Sequence, residues 1–539
     1  MKKLLALVCA LMLLCTAALA EPPKNINLDG YKPIVNEKTT ISMVFKDSAS
    51  NTTAQEEKWF WKYADKYLNI DFETEGIIDA SSERLNLLFG SNELPDVLWG
   101  FNFSTDQLTM YGQVEGQLMA LEDYITPELT PALYALKQEH PEVFAAATAP
   151  DGHLYTIPNL NYTDTQFSTV CMIRQDWLEQ VGMKSPVTLD QLVEMLYAFK
   201  EKALAGEKTV PLGKKNGQML LHALGYDGGG NDGLTPAVRN GKCVIPAGDE
   251  GFLEYLTLMN QFYNDGIISR DYYTMTDVQS KALMEEGCVG VSAEFPPDFK
   301  NWWCMQPLTS KWSETPVWTG PSYYNIGNFV MSAKCEHPEA VMRFVDYMYT
   351  DEGAILSSFG PPMNADSEIL MGVGGYYIAD DDNRSFCYVD YDQAENHGGY
   401  ANHYDYRVKK IICFTMDCVM DRRSIEAKRQ AVGGYEVTGA EFNMEQQDRY
   451  CRKSNLDVIA PYYTPGYPSV VWMNEEDALA ILDLKTVIEN YATQQTARFI
   501  TGVRPLSEFN DYLQELNQLG FQEYQQYYAD AYAVYSENM

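Results

Sequence analysis

Residues 81–100 read SSERLNLLFGSNELPDVLWG, a helix stopped by Gly90, then a turn, then a strand ending near Trp99. Upstream, TTISMVF (Thr39 to Phe45) has strand propensity. EEKWFWKYADKYL (Glu56 to Leu68) has helical spacing at Trp59, Tyr63 and Tyr67, and NIDFETEGI forms a second strand candidate. The resulting β-α-β-α-β order predicts a sheet covered by helices, and such sheets bind ligands beyond the carboxyl ends of their strands.

Downstream, SPVTLDQLVEMLYAFKEKAL places Thr188 as an N-cap with Gln191 three residues later, a capping box before an amphipathic helix. EGFLEYLTLMNQFYNDGII and SKALMEEGCVGVSA predict two more helices, the second running into a strand at Cys288 to Ser292. HPEAVMRFVDYMYTDEGAILSSFG is a helix with Pro338 in its first turn. Residues 371–407 are rich in Gly, Tyr and Asp with little periodicity and read as a long ordered loop or an excursion over a cleft. From Glu475 to Met539 the chain is mainly helical, and no internal repeat is evident.

The whole chain has 539 residues, 75 acidic against 40 basic, for a formal net charge of −35. Its length allows several domains. A hydrophobic fraction of 46% and an aromatic fraction of 13% exclude a disordered chain. The acidity excludes nucleic acid and anionic membrane surfaces as partners, since both are bound through clustered Lys and Arg. Residues 1–20 have the layout of a secretory signal peptide: Lys2 and Lys3, an apolar run from Leu4 to Cys15, and Ala18-Leu19-Ala20 before Glu21. The expected product is exported and soluble. Lipidation at Cys15 is the alternative, and Leu13-Leu14 before that cysteine fits it poorly. Residues 21–36 read as a linker to the folded body. Of the 11 cysteines, Cys9 and Cys15 fall in the leader; the rest, scattered from Cys171 to Cys451, read as core thiols, with a Cys413–Cys418 bridge as the alternative.

No Walker loop, GxGxxG, GxSxG or HExxH occurs, so no cofactor and no metal is expected, and catalysis has no positive signal. His397 and His403, with Asp380 to Asp382 upstream, read as a solvated polar loop rather than a cation site. Paired carboxylates of a glycosidase arise by chance in so acidic a chain.

Six segments, in order along most of the chain, resemble the extracellular solute-binding protein family 1, the substrate-capture subunits of ABC importers, in its large oligosaccharide-associated branch. They are RLNLLFGSNELPDVLWG, DGHLYTIPNL, MIRQDWLEQVGMKSPVTLDQLVEMLYAFK, LMEEGCVGVSAEFP, NIGNFVMSAKCEHPEAVMRFVDYMYTDEG and FITGVRPLSEFNDYLQELNQLGFQEYQQYYADAY. The resemblance implies a periplasmic-binding-protein-like fold, type II-like, with two α/β lobes, a hinge and an interlobe cleft. The first lobe would take residues 37–162 and 322–430, the second 163–321 and 431–539. It also implies a monomer that hands its solute to an ABC transporter permease. One departure stands out. Many relatives carry a calcium loop after the Ala-Phe-Lys helix, whereas AFKEKALAGEKTVPL lacks the oxygen ligands, so no structural calcium is expected there.

Ligand contacts are expected at strand ends and crossovers. Trp99 and Phe101 follow the Pro-Asp strand, Tyr155 and Asn159 the first crossover, and Arg174 and Asp176 open the second lobe. Glu294, Trp302 and Trp303 follow the next strand; Trp318, Tyr323 and Asn328 approach the return strand. Flat aromatic faces beside amide and charged groups suit sugar rings. The same residues have plainer readings. Trp59, Trp61 and Trp177 fit a core, Asp176 fits a helix cap, and Arg174 fits a hinge ion pair. Trp302 and Trp303 point opposite ways in an extended strand, so at most one stacks on ligand. Tyr467 and Trp472 in PYYTPGYPSVVWM are further candidate walls. The expected function is capture of an oligosaccharide or similar polar solute, against the alternatives of a peptide or other small polar solute, a secreted glycoside hydrolase, or a surface adhesion module.

Overall fold

Strand Thr39–Lys46 lies at the heart of the first sheet, parallel to Ile70–Ile77 on one side and to Val97–Trp99 on the other. Parallel neighbours need crossovers, supplied by the helical stretch Trp59–Leu68 and by helix Ser82–Ser91. That helix runs through Gly90 to Ser91 and is stopped by Asn92, whose φ of 54° is left-handed; asparagine tolerates the conformation through local bonding of its short side chain. Strand Phe329–Met331 closes the edge antiparallel, with Phe329 opposite Trp99. Helix Pro338–Met348 is buried from Ala340 to its end. Its Phe344 ring meets Phe72 at 4.7 Å, Trp99 at 6.0 Å and Phe60 at 6.4 Å.

This computed structural model describes residues 24–47, 51–77, 82–160, 171–294, 296, 301–360, 376–378, 386–388, 409 and 454–537. Residues 1–20, most of 371–407, Asp380 to Asp382, His397, His403, Cys413 and Cys418, and with them the readings made on those residues, lie outside the described residues.

The second sheet runs Trp302–Cys304, Met172–Arg174, Val289–Ser292, Val210–Leu212. Val289–Ser292 is parallel to Val210–Leu212 and antiparallel to Met172–Arg174. Gly290 in the middle of the sheet is required: a Cβ there would meet the rings of Trp177 and Phe199 at 2.8 Å. Thr188 caps helix Leu189–Lys202 by accepting from the Gln191 N–H at 3.2 Å.

Two separate apolar cores result. The first draws on residues between 26 and 160 and between 326 and 356, the second on residues between 171 and 318 and between 459 and 531. Two short ladders accompany the crossings between them, Tyr324–Asn325 with Asn159–Leu160 and Trp318–Thr319 with Tyr463–Thr464. A third crossing runs in the seam. Val470 and Trp472 pack on the first core, Val471 and Met473 on the second, the alternation of an extended chain.

The linker reading of residues 21–36 is corrected over its described part. Ile34 and Val35 are fully buried in the first core. Tyr31 donates to Asp346 Oδ2 at 2.6 Å and its ring lies 4.2 Å from the Arg343 guanidinium. Proline- and asparagine-rich composition suggested a tether, but three apolar residues and a tyrosine were enough to dock it. Cys171, Cys243, Cys288, Cys304 and Cys335 are buried free thiols. Among the described residues no helix is long and apolar enough to cross a membrane.

Candidate functional site

A cleft of about 770 Å³ opens between the two cores. The first side supplies the loop Asn102–Asp106, Asn159 and Asn328; the second supplies Gln218, Gly228–Gly230 and Thr235; Tyr467, Lys485 and Tyr528 close it from the C-terminal part. Backbone bonds fix the first wall. Gly100 N–H donates to the Asn328 carbonyl at 2.5 Å and Phe103 N–H to the Gly327 carbonyl at 3.0 Å. Gly327 has a φ of 79°, and a Cβ on it would sit 2.0 Å from Phe103 O, so the two loops approach closely only because it is glycine.

That clamp delivers two acceptors to the cleft. Asp106, inside the Ser104–Gln107 capping box, is 8% exposed, and its Oδ2 has no hydrogen-bond donor among the described residues. Asn328 is 1% exposed; its Nδ2 donates to Asn159 Oδ1 at 3.0 Å, which leaves Asn328 Oδ1 without a donor among the described residues. Opposite them, the run Gly228-Gly229-Gly230 has φ values of 121°, 89° and 64°. Side chains would collide there, with Thr235 Oγ1 at 2.4 Å in the case of Gly230.

The seam behind the cleft is tied by one hydrogen-bonded chain. Thr319 Oγ1 donates to Asp227 Oδ1 at 2.8 Å, Asp227 Oδ2 accepts from Gly466 N–H at 3.1 Å, and His222 Nε2 meets Thr319 Oγ1 at 3.0 Å. Because Thr319 spends its only proton on Asp227, His222 Nε2 must be the donor. Complete burial pulls the His222 pKa down to about 3, so the ring is neutral. Burial likewise pushes the Tyr467 and Tyr528 hydroxyls up, which keeps them protonated.

Of the residues expected from sequence, Asn159 and Asn328 line this cleft, and Tyr467 joins them. The others do not line it. Trp99 is corrected to the core: it is fully buried, edge-on to Phe329 at 5.2 Å, because its strand is an inner one. Phe101 is half-buried and packs toward Phe103 at 6.1 Å. Tyr155 is buried with its hydroxyl on Asp151 Oδ2 at 2.7 Å. Trp318 is buried edge-on to His222 at 5.0 Å, and Tyr323 packs on His140 at 5.7 Å. Trp472 donates to the Ala146 carbonyl at 2.7 Å.

Arg174, Asp176, Trp302 and Trp303 lie at one end of the second sheet instead, and Glu294 at the other. Arg174 forks Asp176 at 2.7 and 2.5 Å, and its guanidinium lies 5.4 Å from the Trp177 ring and 5.8 Å from the Trp302 ring. The helix cap expected of Asp176 is corrected, since Arg174 occupies the N-cap position of Gln175–Val181. The hinge ion pair expected of Arg174 is instead this local one. Trp302 is buried and Trp303 half-buried, the alternation of a strand. Glu294 accepts from Ser280 Oγ at 2.5 Å and pairs with Lys215 at 3.3 Å.

Sequence reasoning missed Asp106, the glycine run, Lys485 and Tyr528. The capping box SerThrAspGln at Ser104 and the three successive glycines at Gly228 were the available signals. The loop after helix Leu189–Lys202 is closed by Thr209 Oγ1, accepting from Ala205 N–H at 2.8 Å, and by the Lys208–Glu286 ion pair at 2.5 Å. No group of acids, histidines and cysteines able to hold a metal occurs among the described residues.

Residues 49–355, more than half of the chain, match the family described as bacterial extracellular solute-binding protein. The fructooligosaccharide ABC transporter substrate-binding protein FusA of Streptococcus pneumoniae serotype 4 is 22% identical over 558 residues, covering 97% of this chain and 96% of that protein. The structure of S. pneumoniae FusA in complex with kestose superposes with a TM-score of 0.73 at 19% identity, over 93% of this chain and 100% of that one. The alginate-binding protein AlgQ2 without calcium ion gives 0.72 at 20% identity, over 93% and 99%. These structures share the two-lobed α/β binding-protein fold.

Proposed function

The chain belongs to the bacterial extracellular solute-binding protein family, and from that premise we propose that it captures an oligosaccharide in the cleft and passes it intact to an ABC transporter permease. The observation that carries this is the pair of buried acceptors, Asp106 Oδ2 and Asn328 Oδ1, without donors among the described residues. A buried acceptor left empty costs about 1–3 kcal/mol, and a sugar presents a row of hydroxyl donors to relieve it. Tyr467 and Tyr528 line the cleft and add aromatic surface for the apolar sides of the sugar. The name of FusA, a fructooligosaccharide-binding subunit, supports the same class. Closure of two lobes, built around the two cores, would bury the solute on both faces, and the closed state gains what those contacts differ by. Catalysis is not part of this reading, and the leader 1–20 is removed on export, with Ala20 as the last residue lost.

Calorimetric titration and thermal shift of the mature chain against neutral oligosaccharides and peptides, with chromatography of the recovered sugar, test it. Saturable stabilisation by a sugar recovered whole is expected. Binding of peptides alone, or release of monosaccharide, overturns it.

A further inference from the structure

The relatives named above divide by the charge of their ligands, since kestose is neutral and alginate is a polyuronate. The walls of this cleft bear on that choice. Its charged lining residues among those described are Asp106 and Lys485. Behind them stands Glu489, half-buried and one turn along helix Glu475–Ile500 from Lys485. Its carboxyl is pushed up chiefly by burial; Asp232, on the glycine-rich loop, and Asp106 push it further, and Lys485 opposes them. Three carboxylates and one ammonium therefore act on the same end of the cleft. The unfilled atoms of the cleft lining, Asp106 Oδ2 and Asn328 Oδ1, are both acceptors. They call for O–H donors, and a uronate carboxylate brings acceptors and like charge instead.

We propose that the cleft selects uncharged oligosaccharides and rejects uronate-bearing ones, with Asp106 as the specificity-determining side chain. The inference rests on the oligosaccharide reading of the cleft. A carboxylate accepting from a sugar hydroxyl makes a charge-assisted bond, so Asp106 favours the neutral ligand and repels the anionic one through the same atom. Asp232 and Glu489 add repulsion without touching the solute, which makes the discrimination sensitive to salt.

Isothermal titration of the mature chain with kestose, maltotriose and xylotriose, against trigalacturonate and trimannuronate of equal length, tests this. At least one neutral sugar should bind, with both uronates weaker by about tenfold or more. Asp106→Asn should weaken the neutral sugar and narrow the gap. Asp232→Asn, on an exposed loop residue whose amide oxygen can still cap Leu234 N–H, should narrow the gap alone and keeps the test readable if the first variant fails to fold. A uronate bound as tightly as the best neutral sugar overturns the inference while leaving the oligosaccharide reading intact, as does a gap that neither variant moves. Failure of every sugar overturns that reading and this inference with it.

Discussion

The polar residues that flank the two sheets are similar in type and end in opposite chemical states. At the two ends of the second sheet the charges are paired, Arg174 with Asp176 at one and Glu294 with Lys215 and Ser280 at the other. Beyond the first, Asp106 and Asn328 keep acceptors that no described donor fills. A satisfied polar cluster holds its own loops in place, whereas an unsatisfied one carries a cost that a ligand can remove. Residue type alone therefore does not mark a binding surface; the state of its hydrogen bonds does.

The contrast can be broken most forcefully at the floor of the first sheet. Trp99→Ala should cost about 3–5 kcal/mol of stability in chemical denaturation, because the vacated volume is walled by Phe329 and Phe344. An unchanged midpoint would return Trp99 to the list of ligand contacts. Behind the cleft, His222 has a folded pKa of about 3, below the 6.5 of the free side chain. The unfolded chain then binds a proton that the folded one refuses. Its contribution is present above about pH 6.5 and drains away as the pH falls toward about 3, the loss amounting to about 2 kcal/mol at about pH 5. Denaturation at about pH 7 and about pH 5 should show that loss in the wild type and not in His222→Gln.

Tyr467→Ala sharpens the comparison on the ligand side. It should weaken sugar affinity by about 1–3 kcal/mol, read by calorimetry; unchanged affinity removes Tyr467 from the site. The smallest effect belongs to the satisfied cluster. Arg174→Gln should lower stability by about 1 kcal/mol and leave sugar affinity where it was. A loss of affinity there would mean that the second sheet's cluster meets ligand after all.

Much of the architecture was legible in the chain. Strand and helix order around Val97–Trp99, the Thr188 cap and the core roles of Trp59, Trp61 and Trp177 all follow from spacing, and the structure has them. The site was legible only in part. Asn159 and Asn328 were found because crossovers mark the seam. Trp99, Trp302 and Trp318 were misplaced because a short strand's neighbours, which decide whether its aromatic faces solvent or helix, come from residues far away in sequence. Docking of residues 24–36 escaped notice for a similar reason: their partners Arg343 and Asp346 lie three hundred residues on.

By itself the sequence determined local conformation and bulk character: periodicities, caps, glycine turns and an acidic balance hostile to polyanions. These depend on near neighbours and on composition, which a linear string records. Only the tertiary structure decided which polar atoms are left without partners. Hydrogen bonds are short and directional, so whether Asp106 or Asp176 is satisfied depends on where distant segments come to rest in space.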